Sequence, residues 1–120
     1  MEGKRQQKYA RMIQKELGNF FQKDAKGTFG NAFISVTQVR ISPDLSVAKV
    51  YLSIMQVNDK QAFLAEIIDK KPQIRKELGH KIGKFSRIVP DLHFFIDDSV
   101  DYVLNIEKIL KDINSAASNN

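Results

Sequence analysis

The sequence predicts an α+β domain in which helices cover one face of a three-stranded sheet. Apolar side chains recur with helical spacing in four stretches. They alternate with polar ones in two stretches on either side of a Pro-Asp turn at 43–44, as in a hairpin. A short aromatic run at 92–96 adds a third strand, and Pro72 separates two of the helices. The predicted order is helix, strand, strand, helix, kink, helix, strand, helix.

The composition is that of one globular domain. With 120 residues, 42% of them hydrophobic, the chain is long enough to build a core. It has no cysteine, which excludes disulfides and thiolate chemistry. No run of 18 apolar residues and no signal-like segment occurs, so we expect a cytoplasmic monomer without a membrane partner. We expect residues 1–114 to form the domain and the polar tail 115–120 to be disordered.

The net charge of +5 and the pI near 9.5 favour a polyanionic partner. Nucleic acid is the first choice and an acidic membrane surface the second. Charge is concentrated in two blocks, because residues 1–26 carry +4 and residues 70–87 carry +6. The middle of the chain is nearly neutral, and residues 88–120 carry −4.

The first predicted helix, 4–22, has an apolar side and a basic side. Tyr9, Ile13 and Leu17 mark the apolar side. The basic side falls within roughly 60° on a helical wheel and comprises Lys4, Lys8, Arg11 and Lys15. Four like charges on one stripe repel one another, which favours a phosphate partner. The alternative is an ordinary solvated helix face.

The two strands of the hairpin are predicted at 33–42 and 47–57. In the first, the alternation changes phase, which predicts a β-bulge near Thr37 and Gln38. The second alternates regularly and places Lys49 and Tyr51 on the open face of the sheet. Tyr51 there is either an amphipathic surface residue or a platform on which a base could stack.

A second helix is predicted from a cap at Asn58 or Asp59 to about Lys70. Its buried stripe is expected to comprise Phe63, Leu64, Ile67 and Ile68. Pro72 should force Lys71 out of the α region and kink the chain. After the third strand, Asp98 is the expected N-cap of a last helix at about 99–114.

The helix after the kink, to about Phe85, is the most basic part of the chain. It packs through an apolar stripe containing Ile74, Leu78 and Ile82, while Lys76 and Lys84 fall on the opposite side. We interpret it as a helix that lies against a nucleic-acid backbone. The predicted contacts of this block are Lys70, Lys71, Arg75, Lys76, His80, Lys81, Lys84 and Arg87. Gly79 and Gly83 allow either close approach to the nucleic acid or ordinary helix packing.

No catalytic residues, metal ligands or cofactor site are predicted. His80 and His93 lack a metal-ligand spacing, and His93 is expected to be an ordinary surface histidine. Asp97, Asp98 and Asp101 could indicate Mg²⁺, but helix capping is the better explanation for two of the three. The sequence contains no phosphate-binding Gly-x-x-x-x-Gly-Lys-Ser/Thr motif.

The chain resembles the ribosome-binding factor A family over nearly its whole length. The resemblance rests on the basic first helix, on 36–51 with its Ser-Pro-Asp-Leu and Ala-Lys-Val-Tyr segments, on Ile74-Arg75, and on 87–94 followed by 97–99. It implies a type II KH-like fold, extended here by the C-terminal helix. It also implies binding to the small ribosomal subunit and its precursor rRNA, late maturation that includes the rRNA 5′ end, and support of growth in the cold.

One segment departs from the family pattern. KH domains carry a Gly-x-x-Gly loop between two helices, and this family has an Ala-x-Gly kink there. The matching positions here read Lys70-Lys71-Pro72. This departure favours long-range attraction of phosphates by the two lysines over close backbone contact at this point. The alternative function is a module that docks ribosomal proteins, for which the acidic C-terminal helix would serve.

Overall fold

Up to the third strand, the residues that the structure describes form three helices and three strands in the predicted order. The computed structural model describes residues 3–24, 29–30, 32–84 and 88–99. The elements are α1 (Lys4–Asn19, continued by a π-helical turn, Phe20–Asp24), β1 (Phe33–Ile41), β2 (Val47–Met55), α2 (Lys60–Asp69), α3 (Lys71–Ile82) and β3 (Asp91–Ile96). This confirms the α+β, KH-like fold. The predicted last helix and the tail 115–120 lie outside the described residues, apart from Ser99, which is helical.

The strands form one sheet in the order β1-β2-β3. A tight hairpin makes β1 and β2 antiparallel, whereas the crossover through α2 and α3 brings β3 parallel to β2. The helices pack on one face of this sheet. Side chains of that face are buried on all three strands, and on β2 and β3 they comprise Ala48, Val50, Leu52, Ile54, Leu92 and Phe94.

The predicted β-bulge in β1 is confirmed. Val36 pairs with Leu52 and Gln38 pairs with Tyr51, so Thr37 is the extra residue. The extra residue changes the phase of the strand, and both Ile34 before it and Val39 after it are buried. The Thr37 hydroxyl donates a 2.6 Å hydrogen bond to Asp97 Oδ2 just beyond β3.

The Ser-Pro-Asp-Leu segment forms the turn between β1 and β2. The Ser42 N–H donates to the Val47 carbonyl oxygen at 2.9 Å, and the Val47 N–H donates to Ser42 Oγ at 3.0 Å. Asp44 Oδ1 accepts hydrogen bonds from both Ser42 and Ser46. Leu45 adopts a left-handed φ of 63° but is only 3% exposed, so burial of its side chain offsets the strain.

Asp59 is the N-cap of α2, where its side chain accepts a 3.1 Å hydrogen bond from the Ala62 N–H. Ile67 is fully buried in this helix, and Phe63 and Leu64 are partly buried against the core. The prediction that Ile68 is buried is wrong, because its side chain is 44% exposed. With ten residues, α2 buries a narrower stripe than the sequence pattern indicates.

The kink between α2 and α3 is confirmed, but it lies at Lys70 and not at Lys71. Lys70 has φ −91° and ψ 7°, whereas Lys71 is already the first residue of α3. Pro72 thus falls in the first turn of α3, where a missing N–H costs no hydrogen bond. The Lys70 carbonyl accepts from the Ile74 N–H at 3.0 Å, so α3 begins directly at the break.

The end of α1 also differs from the predicted uniform helix to residue 22. The chain widens into the π-helical turn, in which the Phe20 and Phe21 rings meet edge to face at 5.3 Å. Phe21 is buried and Phe20 partly so. Within the described ranges, no helix has the length and apolar character needed to cross a membrane.

Candidate nucleic-acid interface

The outward side of α3 is basic because its apolar residues fix how the helix lies on the sheet. Ile74, Leu78 and Ile82 are between 0% and 3% exposed. Residues on the other side of the helix therefore point to solvent. Four of the predicted contacts are exposed on this helix or just after it: Lys76, His80, Lys81 and Lys84.

The same argument places the basic stripe of α1. Tyr9, Ile13 and Leu17 are buried, and Gln6 joins the start of the helix to β1 through a 2.9 Å hydrogen bond from Nε2 to the Ile41 carbonyl oxygen. The four predicted contacts of this helix are all exposed: Lys4, Lys8, Arg11 and Lys15. Among the described residues, none of these four or of the four exposed contacts of α3 has an ion-pair partner.

The two basic groups lie on neighbouring helices, which the sequence alone did not determine. α1 packs against α3, and the crevice between them is lined by Glu16, Leu17, Phe20, Ile74, Glu77, Leu78 and Lys81. Glu16 and Glu77 are thus placed in the crevice between the two helices. Of the predicted contacts, Lys81 lines this crevice, and both helices lie on the same side of the sheet.

Two predicted contacts are instead engaged within the protein. Lys71 Nζ lies 3.4 Å from Asp91 Oδ1 at the start of β3. Arg75 donates from Nε to the Pro90 carbonyl oxygen at 3.2 Å and from Nη2 to the Val89 carbonyl oxygen at 2.9 Å. These contacts need the segment before β3 to lie beside α3. One feature of the sequence indicated that Lys71 faces the protein, since it lies on the same helical stripe as Ile74 and Leu78.

Asp91 is held in its ionised form by its two basic neighbours. Partial desolvation acts to raise its pKa, but hydrogen bonds from His93 and Lys71 outweigh this and lower the pKa below its usual value. His93 Nε2 lies 3.0 Å from Asp91 Oδ2. His93 is exposed, which confirms the expectation of an ordinary surface histidine.

Of the remaining two predicted contacts, Lys70 and Arg87, the structure describes only Lys70. Lys70 Nζ lies 6.0 Å from the centroid of the Phe29 ring, a cation–π arrangement that still leaves the lysine partly exposed. Arg87 lies outside the described residues. The kink itself therefore carries one partly exposed lysine at residue 70.

Gly79 and Gly83 have packing explanations. A Cβ at Gly79 would lie 3.3 Å from Val89 Cγ2, so the glycine lets α3 approach the segment before β3. A Cβ at Gly83 would lie 2.8 Å from the Gly79 carbonyl oxygen, which is too close for any side chain. Packing within the protein therefore accounts for glycine at both positions, and no contact with a nucleic acid is needed to explain them.

The first acidic residue after β3, Asp97, has a structural role. Asp97 Oδ1 accepts hydrogen bonds from the Ser99 N–H at 3.0 Å and the Ser99 hydroxyl at 2.6 Å. Asp97 thus closes a local turn with Ser99, while the predicted N-cap role of Asp98 depends on residues outside the described part of the chain. Within the described part of the chain, no group of three or more acidic or histidine side chains is placed to hold a metal ion.

Comparisons with known proteins identify the family. The family model of ribosome-binding factor A matches residues 5–110. Ribosome-binding factor A of Cytophaga hutchinsonii is 51% identical over 113 residues, which cover 94% of this chain and 85% of that protein. The protein of the same name from Flavobacterium johnsoniae is 40% identical, over 92% of this chain and 85% of its own length.

Solved structures agree with the fold. The crystal structure of ribosome-binding factor A from Thermus thermophilus superposes with a TM-score of 0.63 at 19% identity, over 76% of this chain and 94% of that chain. A homology model of the Thermus thermophilus protein, fitted into a cryo-EM map of a 30S–RbfA complex, gives a TM-score of 0.61 at 19% identity, over 74% and 91% of the two chains. From its sequence match and its KH-like fold, the chain belongs to the ribosome-binding factor A family.

Proposed function

We propose that the protein binds the small ribosomal subunit and its precursor rRNA through the exposed basic side chains of α1 and α3. In this proposal it acts in the cytoplasm as an assembly factor that aids late maturation of the subunit, including processing of the rRNA 5′ end. It contributes binding and not catalysis. Growth in the cold would depend on it most.

The observation that carries the proposal is the pair of basic stripes on two helices in contact. Eight cationic or ionisable side chains are exposed there, with the nearby acids Glu16 and Glu77 drawn into the crevice. Such a surface releases counterions when it meets a phosphate backbone. The fitted 30S complex of the Thermus thermophilus protein supports the choice of subunit.

The contribution of the individual residues follows from their neighbours. Among the described residues, Lys76, Lys81 and Lys84 have no ion-pair partner, whereas Lys71 and Arg75 would have to give up intramolecular contacts in order to reach RNA. We therefore place the main phosphate contacts on the first group together with the α1 stripe. His80 joins them when it is protonated.

The salt dependence of subunit binding tests this assignment. Each phosphate contact contributes roughly 0.7–0.9 to the slope of log affinity against log salt concentration. The double variant K76Q/K84Q should lower that slope by more than about one unit while the protein stays folded. The matched control K76R/K84R keeps both charges and should keep the slope.

The outcomes separate the candidate partners. An unchanged slope in K76Q/K84Q would overturn the assignment of α3. Tight binding of the wild type that is insensitive to salt would favour docking to ribosomal proteins over binding to RNA.

A further inference from the structure

The face of the sheet opposite the helices presents side chains in rows across the three strands. Arg40 on β1 pairs with Lys49 on β2, and Lys49 pairs with His93 on β3. These three side chains therefore form one basic row across the sheet. The next row, about 6.8 Å along the strands, contains Gln38, Tyr51 and Phe95. These residues alternate with buried residues of the core face, and the rows therefore face away from α1–α3.

The centre of this face is an aromatic pair. The Tyr51 and Phe95 rings are stacked with centroids 5.4 Å apart and an angle of 26° between their planes. Phe95 remains 40% exposed although it lies on a strand. Phe33, at the far end of the same face, is 52% exposed. The face also has covered parts, since Ser53 is only 5% exposed.

The basic row beside the aromatic pair destabilises the sheet when no anion is bound to it. Arg40 and Lys49 are both exposed and lie directly opposite each other, where like charges destabilise a sheet. A surface depression adjoins them, lined by Arg40, Ile41, Ser42, Val47 and Lys49. Asp91, which pairs with Val47 in the neighbouring row, is already shared between His93 and Lys71. A bound anion would relieve the repulsion between the two cations.

We propose that this face is a second RNA-binding surface, which takes a short single-stranded segment. One base stacks on the exposed ring of the Tyr51–Phe95 pair, and a neighbouring phosphate lies between Arg40 and Lys49. A stacked aromatic platform next to paired cations is the combination that recognises single strands, since every base has a π-face and every nucleotide a phosphate. Only the identity of the RNA as rRNA depends on the proposed function above.

The wild-type protein can be tested directly. A 12-residue oligouridine should shift the ring-proton NMR signals of Tyr51 and Phe95 to higher field, because a stacked base shields them. An abasic oligomer of the same length carries the same charge without bases. It should perturb the backbone amides of Arg40 and Lys49 and leave the two rings nearly unchanged.

Variants give the strength of the stacking. The double variant Y51L/F95L keeps apolar side chains on the strands and should bind the oligouridine roughly tenfold more weakly. The control Y51F retains the ring and should bind like the wild type. Because the rings are also read out in the unmodified protein, the test stands even where Y51L/F95L fails to fold.

Several results would overturn the inference. One is equal affinity for the oligouridine and the abasic oligomer, together with unmoved ring signals. A second is that the wild type does not bind the oligouridine while Y51L/F95L loses subunit binding. The face would then be a binding site for a protein. Failure of the proposed function is a separate result, because it appears as loss of subunit binding and not in the oligouridine titration.

Discussion

Arg75 on α3 donates a 2.9 Å hydrogen bond from Nη2 to the carbonyl oxygen of Val89, just ahead of β3. The Tyr9 hydroxyl, from α1, donates to the carbonyl oxygen of the preceding residue, Ile88. Two helices thus hold the same short segment through its backbone. The segment directs the chain into β3, so these side chains fix the position of the strand.

We expect Arg75 to act mainly through stability. R75Q removes a planar group that serves two carbonyl oxygens and should lower the free energy of unfolding by about 1–3 kcal/mol. R75K should lose most of the same stability, because one ammonium group does not match the two acceptors. Urea unfolding monitored by circular dichroism measures both effects.

The neighbouring lysine is the matched control for R75Q. K76Q removes a charge from the same helix at an exposed position, and we expect a change in unfolding free energy within about 0.5 kcal/mol. K76Q should instead lower the salt slope of subunit binding. A stable R75Q with a reduced salt slope would contradict the structural role of Arg75.

The turn between β1 and β2 should show a pH signature at Asp44. Hydrogen bonds from Ser46 and then Ser42 lower the pKa of Asp44 from 3.8 to about 2. The ionised form is thus favoured by folding, so this contribution to stability is present above the unfolded pKa and is lost as the pH falls towards 2. In D44N this part of the pH dependence should disappear.

Two serine variants test the cause of that shift. S46A removes the larger contribution and should raise the pKa of Asp44 more than S42A does. The measurement is an NMR titration of the side-chain carboxyl carbon of Asp44. An Asp44 pKa that remains near 2 in S46A would contradict the hydrogen-bonding explanation.

Two glycines at helix ends should respond to alanine in opposite ways. In G83A the new Cβ would meet the Gly79 carbonyl oxygen at 2.8 Å, so the end of α3 must shift. We expect a loss of about 1 kcal/mol or more. In G18A nothing lies within 4 Å of the new Cβ, and the gain in helix propensity should stabilise the protein by about 0.5–1 kcal/mol. Thermal unfolding of both variants checks this, and changes of equal sign would contradict it.

The hydrogen bond from Thr37 to Asp97 ties the β-bulge to the end of β3. Hydrogen bonds from Ser99 and then Thr37 hold the pKa of Asp97 below its usual value. T37V keeps the shape of the side chain but removes the donor, so it should raise that pKa and cost about 1 kcal/mol. T37S retains the hydroxyl and should keep the low pKa. An unchanged Asp97 pKa in T37V would show that this hydrogen bond does not form in solution.

The local features of the fold were predictable because they depend on neighbours in sequence. The bulge at Thr37 follows from a change of phase in one strand, and the Asp59 cap follows from a polar residue ahead of an apolar stripe. The kink was predicted one residue too late. Proline restricts the residue before it only as a preference, and the first turn of α3 accommodates both residues.

The candidate site was less predictable because a helical wheel gives only the direction of the core. It separates Lys76 from Ile74, but it does not show which other segment lies beside the helix. The contacts of Arg75 and Lys71 with residues 89–91 depend on that tertiary placement. The same holds for Arg40 and Phe95, which join Lys49 and Tyr51 only through the register of the sheet.

Binding to purified ribosomal subunits tests the central claim most directly. The wild-type protein is co-sedimented with small subunits over a series of salt concentrations, and large subunits serve as the control. We expect binding that is selective for the small subunit and that weakens steadily as salt is raised. Equal binding to both subunits would contradict the account, because the basic surface would then be a general polyanion-binding surface.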